Sequence, residues 1–508
     1  MITKKMGKAI TGVVFFTLIA KALGFLRELV LSYYFGATGI SDAYLISQTI
    51  PGTIFQFVGT GLATCFIPIY YKVLNRDGRE AANYFTNVIL TLVLSFSTVV
   101  IILIWLFTPQ VVYLFAMGFS GDTLYYACQF TRIGVLSLYF SSFIYVYNSY
   151  LQANNIFSPT AFAAIPNSLA IIASIVLGAV CNIWLLSIGS TLAVGIQLIF
   201  ILYPVYKLQH HFHISFDWQS RDIRDFFVLL LPVIVGVSVN EINTLVDRTI
   251  ASGVAIGGIS ALTYANSLIM LVQGGMVQPI ATVCYPKITN FISKQNEYDA
   301  KAIIEQTLNY MMAILVPITI GFMLYQYLIV NALFGRGRFD SEAVQMTAVA
   351  LFFYAVGIIF VGVREILSRY YYAHSNTKVP VRNAMIGVII NIVFNLIFSS
   401  FLGLAGLALA TSLSACITAI LLFVSCDRYL KVGSIRLDWL EYIKISISSI
   451  IALAIPYIVL MALGKTNLND IIILCLIAIV SSSLYFIIGL ILDIKFFRMV
   501  KKRFLSNE

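Results

Sequence analysis

The sequence predicts an all-α integral membrane protein. About fourteen transmembrane helices are expected, as two six-helix lobes related by a parallel pseudo-two-fold repeat, plus two extra C-terminal helices. Three observations predict it. Hydrophobic residues make up 60% of the 508 residues and charged residues only 11%, against about 25% charged in soluble globular domains. Apolar runs long enough for the roughly 20 helical residues that cross a hydrocarbon core recur from end to end, and mean hydropathy is +0.92. Basic residues also alternate between the connecting segments in the manner of a multi-pass chain.

Between charged and Pro/Gly-rich breaks the spans fall near 9–36, 42–70, 84–108, 124–150, 158–180, 183–206, 226–252, 258–285, 304–332, 343–372, 380–402, 404–426, 442–463 and 469–494. The first run follows Lys4, Lys5 and Lys8 but has no small-residue cleavage site and continues through Lys21 and Arg27, so it reads as a retained helix rather than a signal peptide. With an inside N-terminus, 24 of the 32 Lys and Arg residues fall in inside segments and only Arg336, Arg338 and Lys465 fall outside. That bias places both termini in the cytoplasm and makes the net charge of +10 a topology signal rather than a nucleic-acid footprint.

Two echoes suggest an internal repeat. Tyr150-Leu-Gln-Ala-Asn-Asn155 before Pro159 resembles Tyr371-Tyr-Ala-His-Ser-Asn376 before Pro380, at an offset of 221. Cys65-Phe-Ile-Pro68 parallels Val283-Cys-Tyr-Pro286. Both map spans 1–6 onto spans 7–12 in one orientation, a recurring transporter architecture. The expected organisation is an N-lobe over 1–206, a cytoplasmic linker over 207–225, a C-lobe over 226–426, and spans 13–14 with a basic tail over 427–508.

Five basic residues remain inside spans: Lys21, Arg27, Arg132, Arg248 and Arg364. Glu28, Asp42, Glu241, Asp247 and Glu365 accompany them. A charge at mid-bilayer costs at least about 2.5–3.5 kcal/mol on insertion scales, so such groups face a cavity or a partner and mark substrate or ion pathways. Structural readings compete: Lys21 and Arg27 as ion-pair members, Asp42 as the cap of its own helix, and Arg132, Arg248 and Arg364 as side chains snorkelling to water. Sequence neighbours such as Arg27 and Glu28 point in different directions on a helix and are not automatically paired.

Other chemistry is not supported. Gly464-Lys465-Thr466 lacks the earlier glycine of a phosphate loop, seven scattered cysteines have no metal-ligand spacing, and His210, His211 and His213 read as a solvated face. No loop is large enough to be a catalytic domain, which disfavours a membrane glycosyltransferase, and no cofactor is expected.

The segment Ala20-Lys-Ala-Leu-Gly-Phe-Leu-Arg27-Glu, followed by Tyr34-Phe-Gly36-Ala, Ser41-Asp42-Ala-Tyr44 and Pro51, resembles the N-terminal signature of the MurJ (MviN) lipid II flippases. Leu231-Pro-Val-Ile-Val-Gly-Val-Ser238, Leu333-Phe-Gly-Arg-Gly337-Arg-Phe339 and Asn376-Thr-Lys-Val-Pro380 resemble it too. The resemblance covers essentially the whole chain. It implies the multidrug/oligosaccharidyl-lipid/polysaccharide exporter fold, alternating access around a central hydrophilic cavity, and a bacterial inner-membrane location. It also implies that Arg27 and Asp42 match the family's functional Arg and Asp, with Lys21 a basic position earlier. Two departures stand out. Phe55, Gln56 and Thr60 occupy the stretch where the family carries an Arg pair and an acid, and Asn266-Ser267 stand near its span-8 Arg.

A polyprenyl pyrophosphate suits the same residues: a planar guanidinium binds phosphate bidentately, and Gln48, Gln56 and Asn240 suit a sugar. Arg27, Lys21, Asp42, Arg132, Gln56 and Arg248 are therefore the expected substrate-binding residues, with Asp42 and Glu241 the candidates for ion coupling. The expected function is a flippase for lipid II. A Wzx-like exporter of capsule, O-antigen or teichoic-acid units and a multidrug antiporter of the same fold stay open. The expected partners are the lipid-linked glycan, membrane lipids and cell-wall or polysaccharide synthesis proteins, around a monomer.

Overall fold

The computed structural model describes residues 2–217, 219–429, 435–463 and 468–505. Lys465, with Gly464 and Thr466, lies outside them, as does the side chain of Asn240. Every regular element among the described residues is a helix. In order these are α1 (Ile2–Phe35), α2 (Gly39–Leu106), α3 (Thr108–Phe115), α4 (Gly121–Gly134), α5 (Ser137–Ala153), α6 (Ser158–Val180), α7 (Trp184–Lys207), α8 (Arg221–Val254) and α9 (Gly258–Val272). A π turn (Gln273–Val277) leads into α10 (Gln278–Ser293). Then follow α11 (Glu297–Leu324), α12 (Gln326–Phe334), α13 (Ser341–Ala373), α14 (Lys378–Leu402), α15 (Leu404–Tyr429), α16 (Trp439–Leu463), α17 (Asp470–Ile491) and α18 (Lys495–Leu505). Ten helical stretches among the described residues are long and apolar enough to cross a membrane.

The expected spans all fall on helix, but several are built differently from a simple rod. At 1.5 Å per residue, the 68 residues of α2 would run about 100 Å, far more than a roughly 30 Å hydrocarbon core. Gly78 interrupts it at φ 84°, a conformation that costs glycine little and other residues more. α2 is thus two arms joined at a one-residue hinge. The expected span 124–150 is divided between α4 and α5, and 304–332 between α11 and α12 at Tyr325. In 258–285 the Gly274-Gly275 pair sits inside the π turn, where two residues without side chains tolerate the widened ladder.

By contacts the chain divides into two compact units, Met1–Ser260 and Ala261–Glu508. In the first, α6 packs against α1 and α7, and α2 packs against α4, α5 and α8. Small residues bring α6 and α7 together: a Cβ on Gly189 would lie 2.3 Å from the Ser174 Cβ, the close approach that helices in lipid favour. In the second, α13 packs on α11 and α15, α14 on α15, and α16 on α11 and α17. The two helices read from the sequence as an appendage are therefore built onto α11, around a core of Ala313, Val316, Tyr442, Ile445, Ile494 and Phe497.

Pro317 explains one feature of that core. It has no N–H to offer the Ala313 carbonyl one turn earlier, and the Tyr485 hydroxyl of α17 donates to that carbonyl at 2.8 Å. Tyr325 donates likewise to the Leu453 carbonyl of α16 at 2.6 Å. Tyr485→Phe is expected to lower stability in detergent by about 1 kcal/mol, the net value of one such bond. A thermal midpoint equal to that of the native protein would show that the carbonyl needs no partner.

The first of the two sequence echoes falls on similar local structure. α5 ends at Ala153, Asn155 takes φ 59°, and α6 starts at Ser158; α13 ends at Ala373, Ser375 takes φ 56°, and α14 starts at Lys378. The helix ends correspond at an offset of 220, so the sequence echo at 221 is one residue out of register, and buried Tyr150 matches buried Tyr370.

Candidate functional site

α1 runs through Arg27 without a break. Neighbours on a helix do not normally face each other, yet the long Arg27 side chain folds back so that Nη2 donates to Glu28 Oε1 at 2.9 Å. The sequence expectation that these neighbours point apart is therefore corrected. Glu28 is buried, and its Oε2 has no hydrogen-bond partner among the described residues. The Arg27 side chain remains 38% exposed.

Tyr44, in the second turn of α2, is the other polar ring close to Arg27. Its hydroxyl reaches Ser190 of α7, and Gln48, one turn further along α2, donates from Nε2 to the same Ser190 oxygen at 3.0 Å. Ser190 in turn donates to the Ser187 carbonyl at 2.9 Å. Three helices thus assemble a guanidinium, a carboxylate, two hydroxyls and an amide, of which the guanidinium, hydroxyls and amide can bind an anion and all can bind a sugar.

Asp42 is 1% exposed and does not cap its own helix. Thr38 is the N-cap of α2, with Ser41 completing the capping box. The Asp42 carboxylate instead accepts from Gly257 N at 2.8 Å and Ser260 N at 2.7 Å, and the Ser260 hydroxyl also bonds to it. It therefore caps the start of α9, where unsatisfied N–H groups and the helix dipole favour a negative charge. Arg248 of α8 lies near enough for its charge to act on Asp42.

The other expected residues are dispersed. Lys21 and Gln56 are exposed. Arg132 is half-buried, with Nε 3.3 Å from the Thr108 hydroxyl and its carbonyl bonded by Trp105. Glu241 is half-buried within hydrogen-bond reach of Thr53. In the second unit Glu365 pairs with Arg369 at 2.6 Å rather than with its neighbour Arg364. The structure brings Arg27 onto Glu28, with Tyr44 and Gln48 joined through Ser190 beside it, and seats Asp42 on Gly257 and Ser260. Sequence reasoning missed Glu28, Tyr44 and Ser190 as members of the Arg27 cluster and Ser260 as the partner of Asp42.

Outside the expected spans, the first arm of α2 carries an ion-pair cluster just before Gly78. Arg76 grips Asp222 through two bonds of 3.2 and 2.7 Å, and Lys72 pairs with Asp225 at 2.7 Å. Lys72 holds Asp225 below the usual carboxylate range, and Arg76 does the same to Asp77. His210 departs from expectation: it is 4% exposed rather than part of a solvated face. Burial, reinforced by His211 and His213, pushes its imidazole down to about 4. Among the described residues no group of His, Cys, Asp and Glu has a metal-binding arrangement.

A chain whose described residues form only helices as regular elements, ten stretches of them long and apolar enough to cross a bilayer, with an arginine-centred polar cluster on α1, α2 and α7, is a multi-pass membrane protein of the transporter type. The family model described as lipid II flippase MurJ matches residues 31–481, and the chain belongs to that family. A probable lipid II flippase MurJ of Rickettsia prowazekii is 26% identical over 409 residues, covering 79% of this chain and 80% of the relative. The lipid II flippase MurJ of Burkholderia cenocepacia is 24% identical over 434 residues, covering 81% and 82%. Among solved structures, a lipid II flippase MurJ in an inward closed conformation superposes with a TM-score of 0.82 at 25% identity, covering 96% of this chain and 99% of that one. An inward-facing multidrug resistance MATE family transporter of the MOP superfamily shares the fold, with a TM-score of 0.69 at 15% identity over 81% of this chain and 95% of that one.

Proposed function

We propose that this protein moves the undecaprenyl-pyrophosphate-linked peptidoglycan precursor lipid II from the inner to the outer leaflet of the bacterial cell membrane by alternating access. Membership of the lipid II flippase family carries the reading. The Arg27 cluster supports it, because a partly exposed arginine beside hydroxyl and amide groups matches a pyrophosphate attached to a sugar. Arg27 contacts the pyrophosphate, and Gln48 and Gln56 contact the sugar. Lys21, Arg132 and Arg248 add positive potential along the route. The prenyl tail stays in lipid.

The finer architecture belongs to the same proposal: fourteen spans, lobes over 1–206 and 226–426, a linker between them, spans 13–14 after them, both termini in the cytoplasm, and a monomer. The 24-to-3 distribution of basic residues supports the orientation. Outward movement of an anion follows an inside-negative potential worth about 2.3 kcal/mol per charge per 100 mV, so no nucleotide site is required. Asp42 has its carboxylate engaged by three donors, which leaves Glu241 as the better candidate for coupling to an ion.

Depleting the protein from living cells and identifying the polyprenyl-linked species that accumulates in the membrane tests the substrate. Lipid II is expected to build up at least several-fold, on the cytoplasmic side. Accumulation of a capsule, O-antigen or teichoic-acid unit, with lipid II at its normal level, would replace the proposal by the Wzx-like reading.

A further inference from the structure

The connection between α7 and α8 does not hang free. Residues 208–217 run without helix along a groove whose two walls have opposite chemistry. On the second arm of α2, Asn83, Asn87 and Thr91 recur every fourth residue and so share one polar face. On α5, Phe143, Tyr147 and Tyr150 form an aromatic stripe at helical spacing.

Each wall grips the strap. Arg79 Nη2 donates to the Leu208 carbonyl at 2.8 Å, Asn87 Nδ2 to the His211 carbonyl at 3.2 Å, and the Ser215 N–H to the Thr91 hydroxyl at 3.1 Å. The His210 ring packs on Tyr150 and Tyr147 at centroid distances of 4.9 and 5.7 Å, and Phe212 meets Phe143 edge-on at 5.4 Å.

The docked state also carries an internal cost. Both ring nitrogens of His210 and the Asn87 Oδ1 are buried without a hydrogen-bond partner among the described residues. Buried polar groups in that condition disfavour the state that holds them, since water satisfies them on release. Few bonds and several orphan groups are what a detachable contact looks like, in contrast to a permanent one. The first two turns of α8 are tied to the first arm of α2 by the Arg76–Asp222 and Lys72–Asp225 pairs.

We infer that residues 208–217 form a releasable latch, docked between α2 and α5 in this conformation and detached at another point of the transport cycle. The inference rests on the transport reading above. Release frees the chain leading into α8, while α8 itself stays packed on α2 through its two ion pairs and the Phe85–Phe226 contact.

Thr91→Cys/Ser215→Cys in the full-length protein, reconstituted in liposomes, tests it. A 3.1 Å contact between the Thr91 oxygen and the Ser215 nitrogen makes this a directly bonded pair on which to place a disulfide, whose Cα atoms lie about 4.4–6.8 Å apart. Each single variant serves as the control for the seven native cysteines. Oxidation is expected to cross-link the double variant and to lower transport of lipid-linked precursor at least about tenfold, with recovery on reduction. Undiminished transport by the cross-linked protein would overturn the latch.

A second measurement does not depend on transport. Maleimide labelling of Ser215→Cys alone is expected to quicken several-fold when lipid II is added, and His210→Phe, which keeps the ring packing but removes both orphan nitrogens, is expected to slow it. Labelling indifferent to both would also overturn the proposal. Failure of the native protein to move precursor, with labelling behaving as expected, would instead count against the transport reading alone.

Discussion

Arg27→Ala is expected to abolish movement of the lipid-linked precursor, by about 100-fold or more, in protein that is made and inserted at its normal level. The magnitude follows from two charge-assisted hydrogen bonds to phosphate, each worth roughly 1.5–3 kcal/mol. Insertion should not suffer from the lost charge itself, because a guanidinium in a span is a cost to the translocating helix. The structure adds one complication. Arg27 is paired with Glu28 at 2.9 Å, and Glu28 is buried, so the alanine variant strands a carboxylate in apolar surroundings, which is destabilising in its own right.

The double variant Arg27→Ala/Glu28→Gln separates the two effects. It is expected to recover thermal stability without recovering transport, whereas a purely structural ion pair would recover both. Arg27→Lys should restore only part of the activity, since an ammonium keeps the charge and loses the planar fork. Lipid II reaching the outer leaflet at the native rate in the alanine variant would remove Arg27 from the substrate site and move the assignment to Lys21 or Arg132.

The spans could be read from the sequence because a membrane helix is defined by local composition: some twenty apolar residues satisfy their own backbone bonds wherever they lie. Arg27 could be found for the same local reason, as a charge in an apolar run. What joins distant segments could not. Asp42 stood at the start of a span and invited a reading as the cap of that helix, but its partners are Gly257 and Ser260, more than 200 residues away. The Arg27–Glu28 pair was missed because a helical wheel separates neighbours by 100°, whereas an arginine side chain is long enough to bend across that angle. His210 looked like one of three solvated histidines, and only the position of Tyr147 and Tyr150 on the facing helix makes it a buried ring. Gly78 is a different case, since a lone glycine gives a weak signal even where it supplies the hinge of α2.

The cap on α9 yields the other large effect. Asp42→Ala removes the acceptor of two backbone N–H groups and one hydroxyl at a site with 1% exposure. Bonds to a charged acceptor are worth roughly 1.5–3 kcal/mol each, and a buried donor left alone keeps its full desolvation cost, so a local loss of about 3 kcal/mol or more is expected. Hydrogen exchange reads it at the atoms concerned: the Gly257 and Ser260 amides should exchange about 100-fold faster. Asp42→Asn should behave almost as badly, because one side of the amide presents N–H to N–H. Ser260→Ala should be milder, because both backbone bonds survive. In the proposed cycle the cap holds residues 257–260 against α2 and must yield when the outer end opens, so transport should fall along with protection. Unchanged exchange in Asp42→Asn would refute the cap, and faster exchange at a native transport rate would make Asp42 a fixture of the fold with no part in the cycle.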